Sequence, residues 1–174
     1  PKDARIKRIG VMDYDGQSIL WMTDSSSLVL APQFSRDGRR LVYTSFDSGF
    51  PQIRVLDIAT VSSRPLTQDA NSMAFSPRFS PDGRWIVYSR EQGGNTDIWL
   101  MDAASGAQRP LVQSPSIDTA PSFSPDGQRL AGGTGAVISH PHPGSGASQH
   151  GNQLAAFILD LHEASGEGAA GQDR

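Results

Sequence analysis

Aspartates recur along this 174-residue chain at a spacing that first suggests a metal site. One set stands in a repeated Phe-Ser-x-Asp-Gly element, and a second set ends short apolar runs. The first set is Asp37, Asp82 and Asp126, and the second set is Asp13, Asp57 and Asp102. The first set could be interpreted as an acidic ring that binds a cation. An aspartate inside a turn sequence, however, usually accepts hydrogen bonds from its own turn. We therefore interpret both sets as turn residues.

The histidines offer a second candidate for metal binding. All four lie near the carboxyl end of the chain, at His140, His142, His150 and His162. The His-x-His pair supplies ligand types, but the chain has no cysteine, and the surrounding Gly, Ala and Ser residues predict no ordered scaffold. We expect adventitious nickel affinity here rather than a structural metal site.

Catalytic motifs are missing from the sequence. There is no Gly-x-Ser-x-Gly nucleophile elbow, and no histidine lies within residues 6–130 to serve as a base. Phosphate-binding and dinucleotide-binding glycine motifs are also missing. Paired carboxylates for glycoside chemistry have no positive support, because the acids fall at turn positions. The sequence predicts a protein that is not an enzyme and that uses no cofactor.

Composition narrows the possible partners. The absence of cysteine excludes disulfides and thiol chemistry. The net charge is −3, and no basic stripe is present, so no nucleic-acid partner is expected. The longest apolar run of the carboxyl-terminal part, Leu154–Leu159, is far too short to cross a bilayer. We expect a soluble chain, or a soluble piece of one, without direct membrane insertion.

Three copies of one hairpin sequence surround the first set of aspartates. They read PQFSRDGRRLVYTS from Pro32, PRFSPDGRWIVYSR from Pro77 and PSFSPDGQRLAGGT from Pro121. The Ser-x-Asp-Gly core is a turn sequence, and the β-branched and aromatic flanks predict strands. A second element, an apolar run that ends in Asp, recurs with the same period at 9–13, 53–57 and 98–102. A period of roughly 40 to 50 residues with several short strands is typical of β-propeller blades.

The repeat predicts an all-β fold, a partial β-propeller of four-stranded antiparallel blades. A β-sandwich is the alternative, but a sandwich does not require a repeated sequence. We assign a half blade to residues 6–23, whole blades to 24–67 and 68–112, and a second half blade to 113–130. Because known propellers use about four to eight blades, two whole blades and two halves would not close a ring. Open blade edges predict self-association.

Residues 131–174 form a different kind of segment. A third strand is expected near residue 142, but the chain there reads His-Pro-His-Pro-Gly. We interpret 131–174 as a low-complexity tail rich in Gly and Ala and containing the histidines, disordered or irregular. Because the break falls inside a strand after Leu130, a reading-frame shift is one explanation and a genuine linker is another.

Particular residues within and beside the repeats resemble those of a known family. The stretches LVLAPQFS from Leu28 and SIDTAPSFS from Ser116, together with DYDG from Asp13, resemble the propeller repeats of the TolB family. That family belongs to the Tol–Pal envelope system of Gram-negative bacteria. The likeness covers about residues 6 to 130. The hairpin repeat by itself also occurs in the propellers of prolyl-oligopeptidase-type serine peptidases.

The resemblance implies a periplasmic, non-enzymatic scaffold that binds proteins. Its partners would be the peptidoglycan-associated lipoprotein Pal and the Tol proteins. In the family, Pal docks at the propeller mouth, on the loops just before the Pro-x-Phe strand. The corresponding candidate contact residues are Val29, Leu30, Ala31, Met73, Ala74, Ser76, Asp118, Thr119 and Ala120. The residue between Ala74 and Ser76, Phe75, is interpreted either as a further contact or as a core side chain.

Two alternatives remain open at this point. The first is the propeller gating domain of a prolyl-oligopeptidase-type peptidase, which would be followed by an α/β-hydrolase domain. The second, for Asp118 and Thr119, is that these side chains cap their own turn rather than contact a partner.

Overall fold

The computed structural model describes residues 7–16, 18–24, 27–134 and 155–160, and all regular structure within these ranges is β-strand. The prediction of an all-β fold is confirmed. The strands are β1 Gly10–Met12, β2 Ile19–Trp21, β3 Val29–Phe34, β4 Arg40–Ser45, β5 Gln52–Asp57, β6 Ser62–Pro65, β7 Met73–Phe79, β8 Trp85–Gln92, β9 Asn95–Asp102, β10 Gln108–Val112, β11 Asp118–Phe123, β12 Arg129–Thr134 and β13 Ala155–Asp160.

The strands form antiparallel sheets in chain order. Strands β3 to β6 make the first four-stranded blade, and β7 to β10 make the second. Strands β1 and β2 pair as a two-stranded sheet, and β11 to β13 form a three-stranded sheet. The predicted four-stranded blades are therefore present, with the strands of the first between residues 29 and 65 and those of the second between residues 73 and 112.

The repeated hairpin turns are built by a serine and an aspartate acting together. In the second blade the Gly83 amide donates to the Ser80 carbonyl at 2.9 Å, with Gly83 at φ 72°. The Ser80 hydroxyl donates to Asp82, whose Oδ1 also accepts from the Arg84 amide at 3.0 Å. The same bonds occur at Ser35 with Asp37 and at Ser124 with Asp126. These three aspartates fold their own turns, as the sequence indicated.

The aspartates that end the third strands act in the same way. Asp57 Oδ1 accepts from the Thr60 amide at 2.9 Å, and Asp102 Oδ1 accepts from the Ser105 amide at 2.8 Å. Each bond closes the turn that leads to the fourth strand of its blade. Both carboxylates are therefore used locally, within the connection that follows them.

The hydrophobic core lies between blades. One cluster joins the first blade, through Val42 and Ile53, to the second blade, through Phe79, Ile86 and Tyr88. A second cluster joins the β1–β2 sheet to the first blade, and a third joins the second blade to β11 and β12. Strands that are apolar on both sides therefore bury each side against a different blade.

Equivalent phenylalanines show what this stacking achieves. Phe79 in β7 is 4% exposed because the first blade covers it, and Arg40 of that blade lies 5.2 Å from its ring centroid. Phe34, at the same position of the first blade, is 47% exposed. The ring is thus buried only where an inner hairpin of a preceding blade lies against it.

The third sheet differs from the expectation of a tail that begins at residue 131. Strand β12 continues to Thr134, and β13 pairs with it antiparallel. The register aligns Arg129 with Asp160, as Arg40 aligns with Asp57 in the first blade. In sequence, Phe157 to Asp160 repeats the apolar run that ends in Asp, farther along the chain than the period predicts.

Much of the tail prediction falls on residues outside the described ranges. The strand expected near residue 142 and all four histidines belong to that group. The frame shift after Leu130 stays a prediction, but the register that β13 shares with β5 and β9 supports an intact frame.

The turn hydrogen bonds predict how the hairpins respond to pH. The Ser80 hydroxyl, followed by the Arg84 amide, holds the pKa of Asp82 below its ordinary value. A carboxyl group with a lowered folded-state pKa stabilises the fold fully above its unfolded pKa of about 3.9. That contribution is lost as the pH falls through the lower folded-state pKa. Carboxyl NMR titration of Asp82 checks this, and Asp37 and Asp126 are expected to behave alike.

Replacing Ser80 tests whether the hydrogen bonds of this turn, rather than other acid-sensitive groups, lower the pKa of Asp82. Ser80→Ala removes the donor to Asp82 and the acceptor of the Trp85 amide. We expect the Asp82 pKa to rise toward its ordinary value and the free energy of unfolding to fall by about 1–2 kcal/mol. The exposed Ser122→Ala is the control. An unchanged Asp82 pKa in Ser80→Ala would contradict this account.

Candidate protein-binding edge

The candidate contact residues lie at one end of the blades. Val29 pairs with Ser45, Met73 with Glu91 and Asp118 with Thr134, so each of these segments begins an inner strand. The Ser-x-Asp-Gly turns lie at the other end of the same strands. Strand β7 contacts β3 and β4, and β11 contacts β7 and β8, so the three segments are neighbours. We call residues 29–31, 73–76 and 118–120 the mouth edge.

A bulge recurs in each segment of the mouth edge. The strand register shifts just before the Pro-x-Phe sequence in β3, β7 and β11. At this point Ala31, Ser76 and Ala120 have φ values of 51°, 55° and 53°. Non-glycine residues adopt this left-handed conformation at a cost of roughly 1–3 kcal/mol, and such strain clusters at functional sites. The bulge also changes the direction of the side chains before it.

Buried hydroxyls tie the bulges of β7 and β11 to the preceding blade. The Ser76 amide donates to Thr44 Oγ1 at 3.2 Å, and the Ala120 amide donates to Ser89 Oγ at 3.2 Å. Thr44 and Ser89 are 2% and 0% exposed and hold the same position in β4 and β8. Ala31 has the same φ in the first blade, so the left-handed conformation belongs to the bulge itself. The hydrogen bond to the hydroxyl fixes the position of the bulge relative to the neighbouring blade.

The nine candidate residues differ in accessibility. Three are buried, and they are Val29, Ala74 and Asp118. Five are half-buried, and they are Leu30, Ala31, Met73, Ser76 and Thr119. Ala120 is exposed. The structure therefore brings all nine to one edge but offers only the last six directly to a partner, with half-buried Phe75 beside them.

Asp118 is a charged residue type at a position where the other blades have apolar residues. The equivalent residues in the other blades are Val29 and Ala74, both apolar and buried. Asp118 Oδ2 accepts from the Ser114 hydroxyl at 2.9 Å. Oδ1 is buried and has no hydrogen-bond partner among the described residues. A carboxylate oxygen in this condition costs free energy, which marks the third segment as different from its repeats.

Two residues of this edge were not identified from the sequence. Thr44 and Ser89 share the position after Leu-Val-Tyr and Ile-Val-Tyr, and a hydroxyl at both is a signal that could have been used. The third copy has Gly133 there, which carries no hydroxyl.

Among the described residues, no group of three or more His, Asp or Glu side chains could hold a metal ion. No helical segment of the described chain has the length and apolar character needed to cross a membrane.

Removing one hydroxyl tests its role at the edge. Thr44→Val keeps the side-chain shape and leaves the Ser76 amide without its acceptor. We expect hydrogen exchange of the Ser76 amide to become about 2- to 10-fold faster, as the loss of one hydrogen bond implies. Thr44→Ser is the matched control and should retain protection. Equal protection of Ser76 in Thr44→Val and in the unchanged protein would show that the hydroxyl does not hold the bulge.

Comparison with known proteins concerns the family of the propeller repeats. Residues 2–133 match the family model described as TolB beta propeller domain. The Tol-Pal system protein TolB of Jannaschia sp. (strain CCS1) is 58% identical over 66 residues, which are 38% of this chain and 15% of that protein. The chain thus aligns with about 15% of the length of this curated relative.

Solved structures show the same fold at lower identity. TolB from Acinetobacter baumannii superposes with a TM-score of 0.73 and 22% identity, over 93% of this chain and 37% of that one. A puromycin hydrolase mutant complexed with PGG gives a TM-score of 0.65 and 15% identity, over 87% of this chain and 24% of that one. At these identities the likeness concerns the fold alone. The match over residues 2–133 places this chain in the TolB beta propeller domain family.

Proposed function

We propose that this chain is a non-enzymatic, protein-binding part of a periplasmic TolB-type propeller in a Tol–Pal system. The observation that carries the proposal is the 58% identity with a Tol-Pal system protein over 66 residues. The geometry supports it, because segments of three successive blades present their half-buried residues at one edge. Propeller loops held on a rigid scaffold are suited to binding.

The mouth edge suits a partner that spans several blades. Its half-buried apolar side chains include Leu30, Met73 and Phe75. The bonds from Ser76 to Thr44 and from Ala120 to Ser89 fix the spacing between blades before a partner arrives. Such preorganisation reduces the entropy lost on binding. The proposed partners are a Pal-like lipoprotein and Tol proteins.

The peptidase alternative has weaker support. A puromycin hydrolase shares the fold at 15% identity, whereas a Tol-Pal system protein is 58% identical over 66 residues. The two hypotheses predict different sequences after the propeller in the complete protein. An α/β-hydrolase domain with a Gly-x-Ser-x-Gly elbow after the propeller would favour the peptidase, and further blades alone would favour the scaffold.

Binding of the soluble domain of a Pal-like lipoprotein tests the proposal. Met73→Lys and Thr119→Lys place a charge among half-buried contact residues of two blades. We expect each variant to weaken binding about tenfold or more, measured by calorimetry, because a loss of about 1.4 kcal/mol corresponds to that factor.

The control for this measurement lies at the opposite end of the blades. Gln128 is exposed in the third Ser-x-Asp-Gly turn, and Gln128→Lys adds the same charge there. This variant should bind as the unchanged protein does. If all three variants bind equally, or if the lipoprotein does not bind at all, the proposed role of the mouth edge is wrong.

Self-association through open blade faces is a separate proposal. Large apolar side chains are exposed on the β1–β2 sheet and on the first blade, namely Met12, Ile19, Leu20, Trp21 and Phe34. Exposed apolar side chains that lie close enough to form one surface favour association. Among the described strands, β1 and β2 pair only with each other, so each leaves one unpaired edge that another strand could join.

Sedimentation of this chain at several concentrations measures the association. We expect the mean mass to rise with concentration, and Trp21→Ser with Phe34→Ser to lower it. Tyr14→Ser, which changes a fully exposed aromatic outside the strands, is the control. A monomer that melts cooperatively at every concentration would contradict the proposal.

A further inference from the structure

The first blade departs from the repeat in the connection between its second and third strands. In the second blade, Gly93 and Gly94 join β8 to β9 as a tight turn, with φ values of 64° and 87°. In the first blade the corresponding connection runs from Phe46 to Pro51. We call these residues the 46–51 loop. They correspond to 91–96 of the second blade, where the two strands instead stay paired up to the turn, and they lie at the same end of the blades as the mouth edge.

The 46–51 loop is held by several hydrogen bonds. The Gly49 amide donates to the Phe46 carbonyl at 3.0 Å, and the Ser48 hydroxyl donates to the Phe50 carbonyl at 3.0 Å. The Pro51 carbonyl accepts from the Ala74 amide at 2.8 Å, which joins the loop to the mouth edge. Phe50 is nevertheless 49% exposed. The loop is thus held in place while about half of this aromatic ring stays open to solvent, so the ring is available for contact with a partner.

A cleft of about 400 Å³ opens beside this ring. Its walls come from the 46–51 loop, strands β5 and β6, and residues 67–70. Phe50, Pro65 and Ala70 supply apolar surface. The volume is near the lower end of the range of about 300–1,000 Å³ found for ligand sites, which suits a single large side chain.

The charges that line the cleft are already paired. Arg54 contacts Asp47 at 3.0 Å, and Asp69, at the other side, contacts Arg90 at 2.6 Å. A charged ligand would have to compete with one of these internal pairs. An uncharged ligand leaves both pairs intact and can cover the exposed ring of Phe50.

We propose that this cleft binds an uncharged aromatic side chain on a segment of a protein partner. The inference rests on the proposed protein-binding function and extends the mouth edge outward to the 46–51 loop. The partner's ring would lie against Phe50 in an offset or edge-to-face arrangement, with Pro65 and Ala70 on its other sides. The bond from Ala74 to Pro51 would make the cleft and the mouth edge one continuous surface.

N-acetyl-L-tryptophanamide is a suitable probe, because it is neutral and carries one aromatic ring. Titrated into the ¹⁵N-labelled chain, it should give saturable amide shifts at Ser48, Gly49, Gln68 and Ala70. Phe50→Ser should weaken the probe about 3- to 10-fold, as the loss of one aromatic pair implies. Ile117→Ser is the matched control, since Ile117 is 55% exposed but does not line the cleft, and it should change nothing.

Three results would overturn the inference. They are the absence of saturable shifts at these amides, equal affinity in Phe50→Ser, and tighter binding of the cationic probe N-acetyl-L-argininamide at the same residues. The probe experiment is independent of the lipoprotein measurement. Probe binding without lipoprotein binding would support the cleft and reject the proposed partner. Lipoprotein binding without probe binding would support the partner and reject the cleft.

Discussion

The architecture depends on the burial of both faces of every blade. Ile53 and Val42 face the second blade, whereas Leu41 and Leu56 face the β1–β2 sheet. A single four-stranded sheet of this composition would leave one apolar face in water, at a cost of about 25 cal/mol for each Å² exposed. Stacking is therefore the condition under which each blade is stable. Phe79 is buried where a preceding blade covers it, whereas Phe34 is exposed where no inner hairpin lies against it.

Stacking also anchors the strained bulges of β7 and β11. A residue such as Ser76 holds a left-handed conformation because the bulge requires it and the neighbouring blade supplies a buried hydroxyl. At Ser76 and Ala120 the strain is offset by hydrogen bonds that exist only when two blades meet. The same contacts fix the distance between successive segments of the mouth edge. A partner that touches two blades would therefore meet a surface whose spacing is set in advance.

Departures from the repeat concentrate at the end of the blades that carries the mouth edge. The 46–51 loop adds an exposed phenylalanine, Asp118 places a carboxylate where the other blades have apolar residues, and Gly133 removes the hydroxyl found at Thr44 and Ser89. The opposite end is uniform, because each Ser-x-Asp-Gly turn makes the same hydrogen bonds. Uniform turns maintain the fold, and the variable end is the one that carries the proposed contacts.

The sequence by itself determined the strands, the turns and the blade unit, because these depend on local patterns that repeat. Ser80, Asp82 and Gly83 specify their turn wherever it occurs. The candidate contacts came instead from the family resemblance, and the register of the inner strands is what brings them to one edge. Only the tertiary structure decided which of them are accessible, since the burial of Val29, Ala74 and Asp118 depends on neighbouring blades. The tertiary structure also revealed β13, whose apolar run comes later in the sequence than the repeat period predicts. The sequence pattern missed it because pairing with β12 depends on strand register rather than on spacing along the chain.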